Sequence, residues 1–128
     1  MSYYFSKTLN MSFDDATEKV RAALQREGFG VLTEIDVKAT LKKKIDVDFR
    51  PYLILGACNP TMAHKALTAE DKIGVMLPCN VIIQETSDGK IEVAAVDPVA
   101  SMSAVGNPDL GDIAEGVRAQ LKHVIVTL

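Results

Sequence analysis

The residue types that could support chemistry gather in one stretch of this sequence, Tyr52 to Asn80. It holds both cysteines, each followed directly by an asparagine and each pair next to a proline. These pairs fall at the joints between predicted elements, where reactive side chains can face a pocket while the elements build the core. The candidate ligand-binding residues are therefore Cys58, Asn59, His64, Cys79 and Asn80, together with Asp97 further along the chain.

Cys58 directly precedes Asn59-Pro60, which has the pattern of a helix N-cap followed by the first helical residue. A thiol near the positive end of a helix dipole has a lowered pKa and favours the thiolate. If the strand ends that carry Cys58 and Cys79 meet, the two sulfurs could form a redox pair, a soft-metal site or a thiol nucleophile. The other interpretation is that both are small buried apolar residues, as free cysteines often are.

The remaining candidates have structural explanations of unequal strength. A structural zinc ion needs four ligands, whereas Cys58, Cys79 and His64 lack CxxC or HxxxH spacing. His64 can also simply face solvent, and Asp97-Pro98 can be a turn. For Asn80, in contrast, the sequence suggests no structural role. No glycine-rich phosphate loop is present, so the sequence identifies no cofactor.

The composition indicates a single domain over residues 1–128, with 48% hydrophobic and 24% charged residues. The net charge is −3 and the one basic cluster is 42–44, which argues against nucleic-acid binding. No apolar run approaches the roughly 18 residues of a membrane span, and the first ten residues are too polar for a signal peptide. We therefore expect a cytoplasmic protein with free thiols.

The spacing of apolar residues predicts the first two strands and the helix between them. Residues 2–8 predict a strand, and 13–27 predict a helix that is capped by Ser12 and closed by Gly28. Residues 29–37 alternate and predict a strand with one buried face. That face carries Phe29, Val31, Thr33, Ile35 and Val37.

The middle of the chain continues this order. Residues 37–47 predict a short amphipathic helix with Val37, Leu41 and Ile45 inward and the lysines outward. Residues 52–57 predict a buried strand. Asn59-Pro60 then begins a helix that should end near residue 69 or 70, and 71–77 fits either a helical turn or an irregular connection.

The last third contains a predicted hairpin and a final helix. Pro78 can begin a strand that runs to Gln84, and Ser87-Asp88-Gly89 is a turn signal before the returning strand 91–96. Residues 99–106 predict a loop or a short irregular edge. A stripe at helical spacing predicts a last helix over 109–124.

The element order β-α-β-α-β-α-β-β-α predicts an α+β fold. We expect one mixed or mainly antiparallel sheet of about five strands with helices packed on one face. Such a sheet leaves its other face exposed or covered by a second subunit, which suggests a homodimer.

Two motifs carry a resemblance to a known family. ILGACNPTMAHKAL, followed by MLPCNVIIQE, a DG turn and VDPVASM, resembles domain-of-unknown-function family 302 over essentially the full chain. The resemblance implies the element order given above, oligomers built from a compact α+β fold, and a bacterial or archaeal origin. It implies no activity.

Two functional hypotheses follow. The first is a small cytoplasmic homodimeric module that binds a small molecule or an anion near Cys58 and Cys79. The alternative is a thiol-dependent redox or metal-binding protein that uses Cys58 and Cys79. Nothing in the spacing of the polar residues fixes a nucleophile beside a base, so catalysis stays an open question.

Overall fold

The computed structural model describes residues 2–128 and shows one five-stranded sheet in the order β1-β5-β4-β3-β2. The strands are β1 Tyr4–Leu9, β2 Gly30–Asp36, β3 Tyr52–Cys58, β4 Cys79–Glu85 and β5 Ile91–Val96. The helices are α1 Phe13–Arg26, α2 Val37–Ile45, α3 Pro60–Ala69, α4 Pro98–Met102 and α5 Gly111–Val126. Every adjacent pair of strands is antiparallel, so the α+β prediction is confirmed and the sheet is not mixed.

The core lies between one face of the sheet and helices α1 and α5. Alternate residues of the central strands point toward it, because side chains along a strand alternate between faces. Val20 and Leu24 of α1 and Leu121 of α5 are fully buried against these strands. The strand residues of this core are Leu53, Leu55, Val81, Ile83, Ile91 and Val93.

Local chemistry fixes the helix starts that the sequence predicted. The Ser12 hydroxyl accepts a hydrogen bond from the Asp15 N–H at 3.1 Å, and Asn59 Oδ1 accepts one from the Met62 N–H at 3.3 Å. Each cap satisfies a backbone donor that the helix itself leaves free. Gly28 follows α1 with φ of +85°, the left-handed conformation that glycine adopts without cost.

The predicted alternation of the second strand is wrong beyond Val31. A bulge between Val31 and Thr33 shifts the register, so Thr33 pairs with Gly56 and Ile35 pairs with Ile54. Directly paired residues share a face, which puts Thr33 and Ile35 on the side away from the helices. Ile35 is 48% exposed there, instead of buried as predicted.

Three further segments differ from the sequence predictions, namely 99–106, the start of the last helix and helix α2, while 71–77 takes the helical one of its two predicted forms. Residues 99–106 are mainly helical, in α4 and a 3₁₀ turn at Ser103–Val105, where a loop was predicted. The ambiguous 71–77 region is a 3₁₀ helix at Asp71–Met76. The last helix begins at Gly111, after a 3₁₀ turn at Pro108–Leu110. Helix α2 buries no residue, and Ile45, predicted to face inward, is 63% exposed.

The face of the sheet opposite α1 and α5 is called the open face below. It carries Tyr4, Asn80 and Ile35, all of which are exposed. None of the helices within residues 2–128 combines the length and the apolar character that crossing a bilayer requires.

Gly56 gives a test of how closely the strands pack. A Cβ atom at this position would overlap Thr33 Oγ1 and lie 2.7 Å from Pro78 Cγ. We expect Gly56→Ala to lower the free energy of unfolding by about 1–3 kcal/mol, because Thr33 must change its rotamer and the Pro78 ring can give way only together with its backbone. Urea unfolding measures this change. Gly74→Ala is the matched control, since its added methyl would meet nothing within 4 Å. Equal stability of the two variants would contradict the packing described here.

Candidate functional site

The two cysteines lie at neighbouring strand ends. Cys58 ends β3 and Cys79 begins β4, opposite Ala57. Both line a cavity of about 30 Å³, together with apolar side chains of α3 and α5 such as Met62 and Val117. This volume has room for about two water molecules and not for an organic ligand.

Cys79 is a core residue. It is 7% exposed, and burial, together with a smaller effect of the nearby Cys58, raises the pKa of its thiol from 9.0 to about 11. Removing a thiolate from water is costly, so the neutral thiol is the stable form at neutral pH. Cys58 is half-buried. The thiol pair predicted from the sequence therefore includes one partner that the core keeps protonated.

Asn59 and His64 lie at the same end of the molecule in different settings. Besides capping α3, Asn59 donates a hydrogen bond from Nδ2 to Gln120 Oε1 at 3.2 Å, which ties α3 to α5. His64 is exposed on α3 and does not line the cavity beside the cysteines. Within residues 2–128, no group of three or more His, Cys, Asp and Glu side chains is placed to hold a metal ion.

Asp97 is the one charged side chain that is buried among the described residues. Its Oδ1 accepts from the Val99 N–H at 3.0 Å, and its Oδ2 accepts from Arg118 Nε at 3.2 Å. Its own backbone N–H donates to the Tyr3 carbonyl at 2.7 Å. These contacts cap α4, attach it to α5 and hold the start of the chain beside β5.

Asn80 lies on the other side of the sheet from Cys79, because consecutive strand residues face opposite ways. It is exposed on the open face, opposite Gly56. The structure thus brings Cys58, Asn59 and Cys79 together and separates them from Asn80, His64 and Asp97.

Asn80 lines a larger space, a concavity of about 440 Å³ on the open face. All three tyrosines of the chain border it, Tyr3 and Tyr4 at one end and Tyr52 at the other. Ile82 of β4 and Ala94 of β5 are direct partners and form its floor. Because the side chain of Ala94 is small, space remains above the floor between the two ends of the concavity.

A hydrogen-bonded row of polar side chains crosses one end of this concavity. The strand register sets Tyr52 beside Gln84 and Gln84 beside Glu92. Gln84 Nε2 donates to Glu92 Oε1 at 2.8 Å, and Gln84 Oε1 accepts from Arg50 Nε at 2.9 Å. The Arg50 guanidinium also lies over the rings of Phe49 and Tyr52, at 4.4 and 5.5 Å from their centroids. The orientation of the Gln84 amide is therefore fixed from both sides.

Sequence reasoning identified Asn80 but missed the tyrosines and the polar row. The sequence pattern that could have located the concavity is the second face of the predicted hairpin. Asn80, Ile82 and Gln84 alternate with core residues in its first strand, and Glu92 and Ala94 do so in its second. The participation of Tyr3, Tyr4 and Tyr52 depends on which strands flank the hairpin, and that order is not local in the sequence.

The raised pKa of Cys79 predicts a pH dependence of stability. Well below pH 9 the thiol is protonated in both folded and unfolded chains. As the pH rises from about 9 to about 11, the unfolded chain loses this proton first, so stability falls across that window. The change amounts to about 2–3 kcal/mol for a shift of about two pKa units. Urea unfolding at several pH values measures it.

Two alanine variants isolate the effect of this thiol. Cys79→Ala removes the titrating group, so its stability should fall less steeply between pH 9 and 11 than that of the wild type. Cys58→Ala keeps the buried thiol and should retain most of the decline. The same slope in the wild type and in Cys79→Ala would show that Cys79 does not titrate in this way.

Comparison with known proteins gives a family without an assigned activity. The family model described as "Domain of unknown function DUF302" matches residues 5–128. The structure is similar to a crystal structure of an uncharacterized conserved protein DUF302 from Bacillus stearothermophilus, with a TM-score of 0.91, 25% sequence identity and 98% of each chain covered. No curated protein matches the sequence. The predicted resemblance is thus confirmed, and this chain belongs to the DUF302 family.

Proposed function

We propose that this protein is a small-molecule-binding module whose ligand occupies the concavity on the open face. The observation that carries the proposal is a concavity of about 440 Å³ that combines an apolar floor with Asn80, Gln84 and Glu92, against about 30 Å³ beside the cysteines. Small-ligand sites commonly measure roughly 300–1,000 Å³. The proposed site therefore keeps Asn80 from the sequence prediction and replaces the cysteines with the tyrosines and the Gln84–Glu92 pair.

The composition of the concavity supports binding. Its floor is apolar at Ile82 and Ala94, and polar groups stand at both ends, Asn80 at one and Gln84 with Glu92 at the other. Binding sites typically combine apolar surface with a few polar groups that fix the orientation of the ligand. The groups belong to paired strands, so little side-chain ordering is needed when a ligand enters.

The cysteine-based alternative stays a prediction. The burial of Cys79 and the raised pKa of its thiol give it no support, since nucleophilic and metal-ligating cysteines act as thiolates. Cys58 and Cys79 are better explained as part of the packing between β3, β4 and α3.

We also propose that the protein is a homodimer that pairs through the rest of the open face. Beside the concavity, Ile35 of β2 and Ile54 of β3 form an apolar row next to Ile82, which belongs to the floor of the concavity. A two-fold axis would set this row against its own copy, which requires no complementary charges. Ile35, at the outer end, is the member left most exposed in a single chain.

The binding proposal is tested by filling the concavity. ¹⁵N-labelled protein is titrated with benzylamine, benzyl alcohol and benzoate, which share a ring and differ in charge. We expect amide shift changes to concentrate at Asn80, Ile82 and Ala94 for at least one compound. Ala94→Leu should weaken that binding by about tenfold or more, because the added atoms occupy the floor. Ala119→Leu, on an exposed position of α5, is the control. No shift changes in the concavity with any of the three would overturn the proposal.

The dimer is tested by placing a charge in the apolar row. Sedimentation velocity should show a two-chain species for the wild type and single chains for Ile35→Asp, since a buried unpaired carboxylate opposes association. Val75→Asp, at a residue that is 85% exposed in the 3₁₀ helix Asp71–Met76, should remain dimeric. A monomeric wild type, or an Ile35→Asp variant that still dimerises, would contradict the proposal.

A further inference from the structure

We infer that the concavity on the open face selects small organic cations, amines above all, which deepens the binding function proposed above and rests on it. Three features favour a cation: the charge of the residues that border the concavity, the rings at its rim and the hydrogen bond that holds Arg50 outside it.

Glu92 is the one residue bordering the concavity whose side chain carries a formal charge at neutral pH. Its Oε1 accepts the hydrogen bond from Gln84, and its Oε2 has no hydrogen-bond donor among residues 2–128. The carboxylate is half-buried, so its attraction for a cation is screened less than that of a fully exposed group. A ligand ammonium at this end would supply the donor that Oε2 lacks.

The three tyrosine rings also favour a cationic ligand. The face of an aromatic ring carries partial negative charge and attracts cations, so the rings at either end of the concavity favour a positively charged ligand there. Tyr3 and Tyr4 pack edge to face, with centroids 5.0 Å apart and planes at 72°, so their two ring faces point in different directions. Tyr52 borders the opposite end, where the Arg50 guanidinium already contacts its ring.

Arg50 is the nearby positive charge that would oppose a cation. It does not border the concavity, and its Nε donates to Gln84 Oε1, which places the amide between the guanidinium and Glu92. The resulting Arg50–Gln84–Glu92 order keeps the positive group outside and the carboxylate inside. An anionic ligand in the concavity would therefore lie beside Glu92, with Gln84 between it and Arg50.

The test compares the three compounds named above in the wild-type protein, by calorimetry and by amide shifts. We expect benzylamine, which is protonated at neutral pH, to bind about tenfold more tightly than benzyl alcohol or benzoate. Glu92→Gln removes the charge but keeps an oxygen that can accept from Gln84. It should weaken benzylamine about tenfold and change benzyl alcohol by less than about twofold. Glu18→Gln, an exposed carboxylate on α1, should have no effect.

A second pair of variants tests the rings. Tyr52→Phe keeps the aromatic face and should keep the preference for benzylamine over benzyl alcohol, whereas Tyr52→Leu should reduce it several-fold. Tightest binding of benzoate or benzyl alcohol in the concavity would overturn the cation preference and leave the binding proposal intact. Absence of any shift change in the concavity would overturn both.

Discussion

The two-residue alternation of the β4–β5 hairpin is the constraint on which the rest of this structure depends. Val81, Ile83 and Val93 face the helices and are fully buried. Their neighbours Ile82 and Ala94 face the other way and form the floor of the concavity. Because one strand pair supplies both the core and the candidate site, a shift of the hairpin by one residue would exchange the two sets and destroy both.

Around this hairpin, the flanking strands give the two faces their different properties. On the helix side, β3 adds Leu53 and Leu55 to a core closed by α1 and α5. On the open side, β3 adds Tyr52 and β1 adds Tyr4, so the aromatic rim is assembled from strands at opposite ends of the first half of the chain. Asp97 links the two sides, because its backbone holds Tyr3 while its carboxylate holds Arg118 of α5.

The cysteine motif and the polar row show that a reactive residue type does not by itself make a binding or catalytic site. Cys79 carries a thiol that could react, but it lies in the core, where desolvation keeps the thiol neutral. Gln84 and Glu92 are common residues in strands, yet a fixed hydrogen bond and an open space beside them give them a defined environment. Accessibility and orientation separate these cases, and neither is a property of residue type.

The sequence by itself determined the features that depend on neighbours along the chain. The caps at Ser12 and Asn59, the stop at Gly28, the hairpin turn and the α+β class were all readable, because each is set by interactions over a few residues. The helical character of Pro98–Met102 was missed because Asp97-Pro98 was interpreted as a turn, although it has the same cap-and-proline pattern as Asn59-Pro60.

Only the tertiary structure decided which side of the sheet holds the candidate site. The bulge after Val31 reverses the facing of Thr33 and Ile35, and pairing between distant strands brings Tyr3, Tyr4 and Tyr52 to one concavity. Strand order and register depend on contacts far apart in the sequence, and local patterns do not specify them. The stretch from Tyr52 to Asn80 therefore contributes its two end residues to the concavity on the open face, whereas its two cysteines line the small cavity beside α3 and α5.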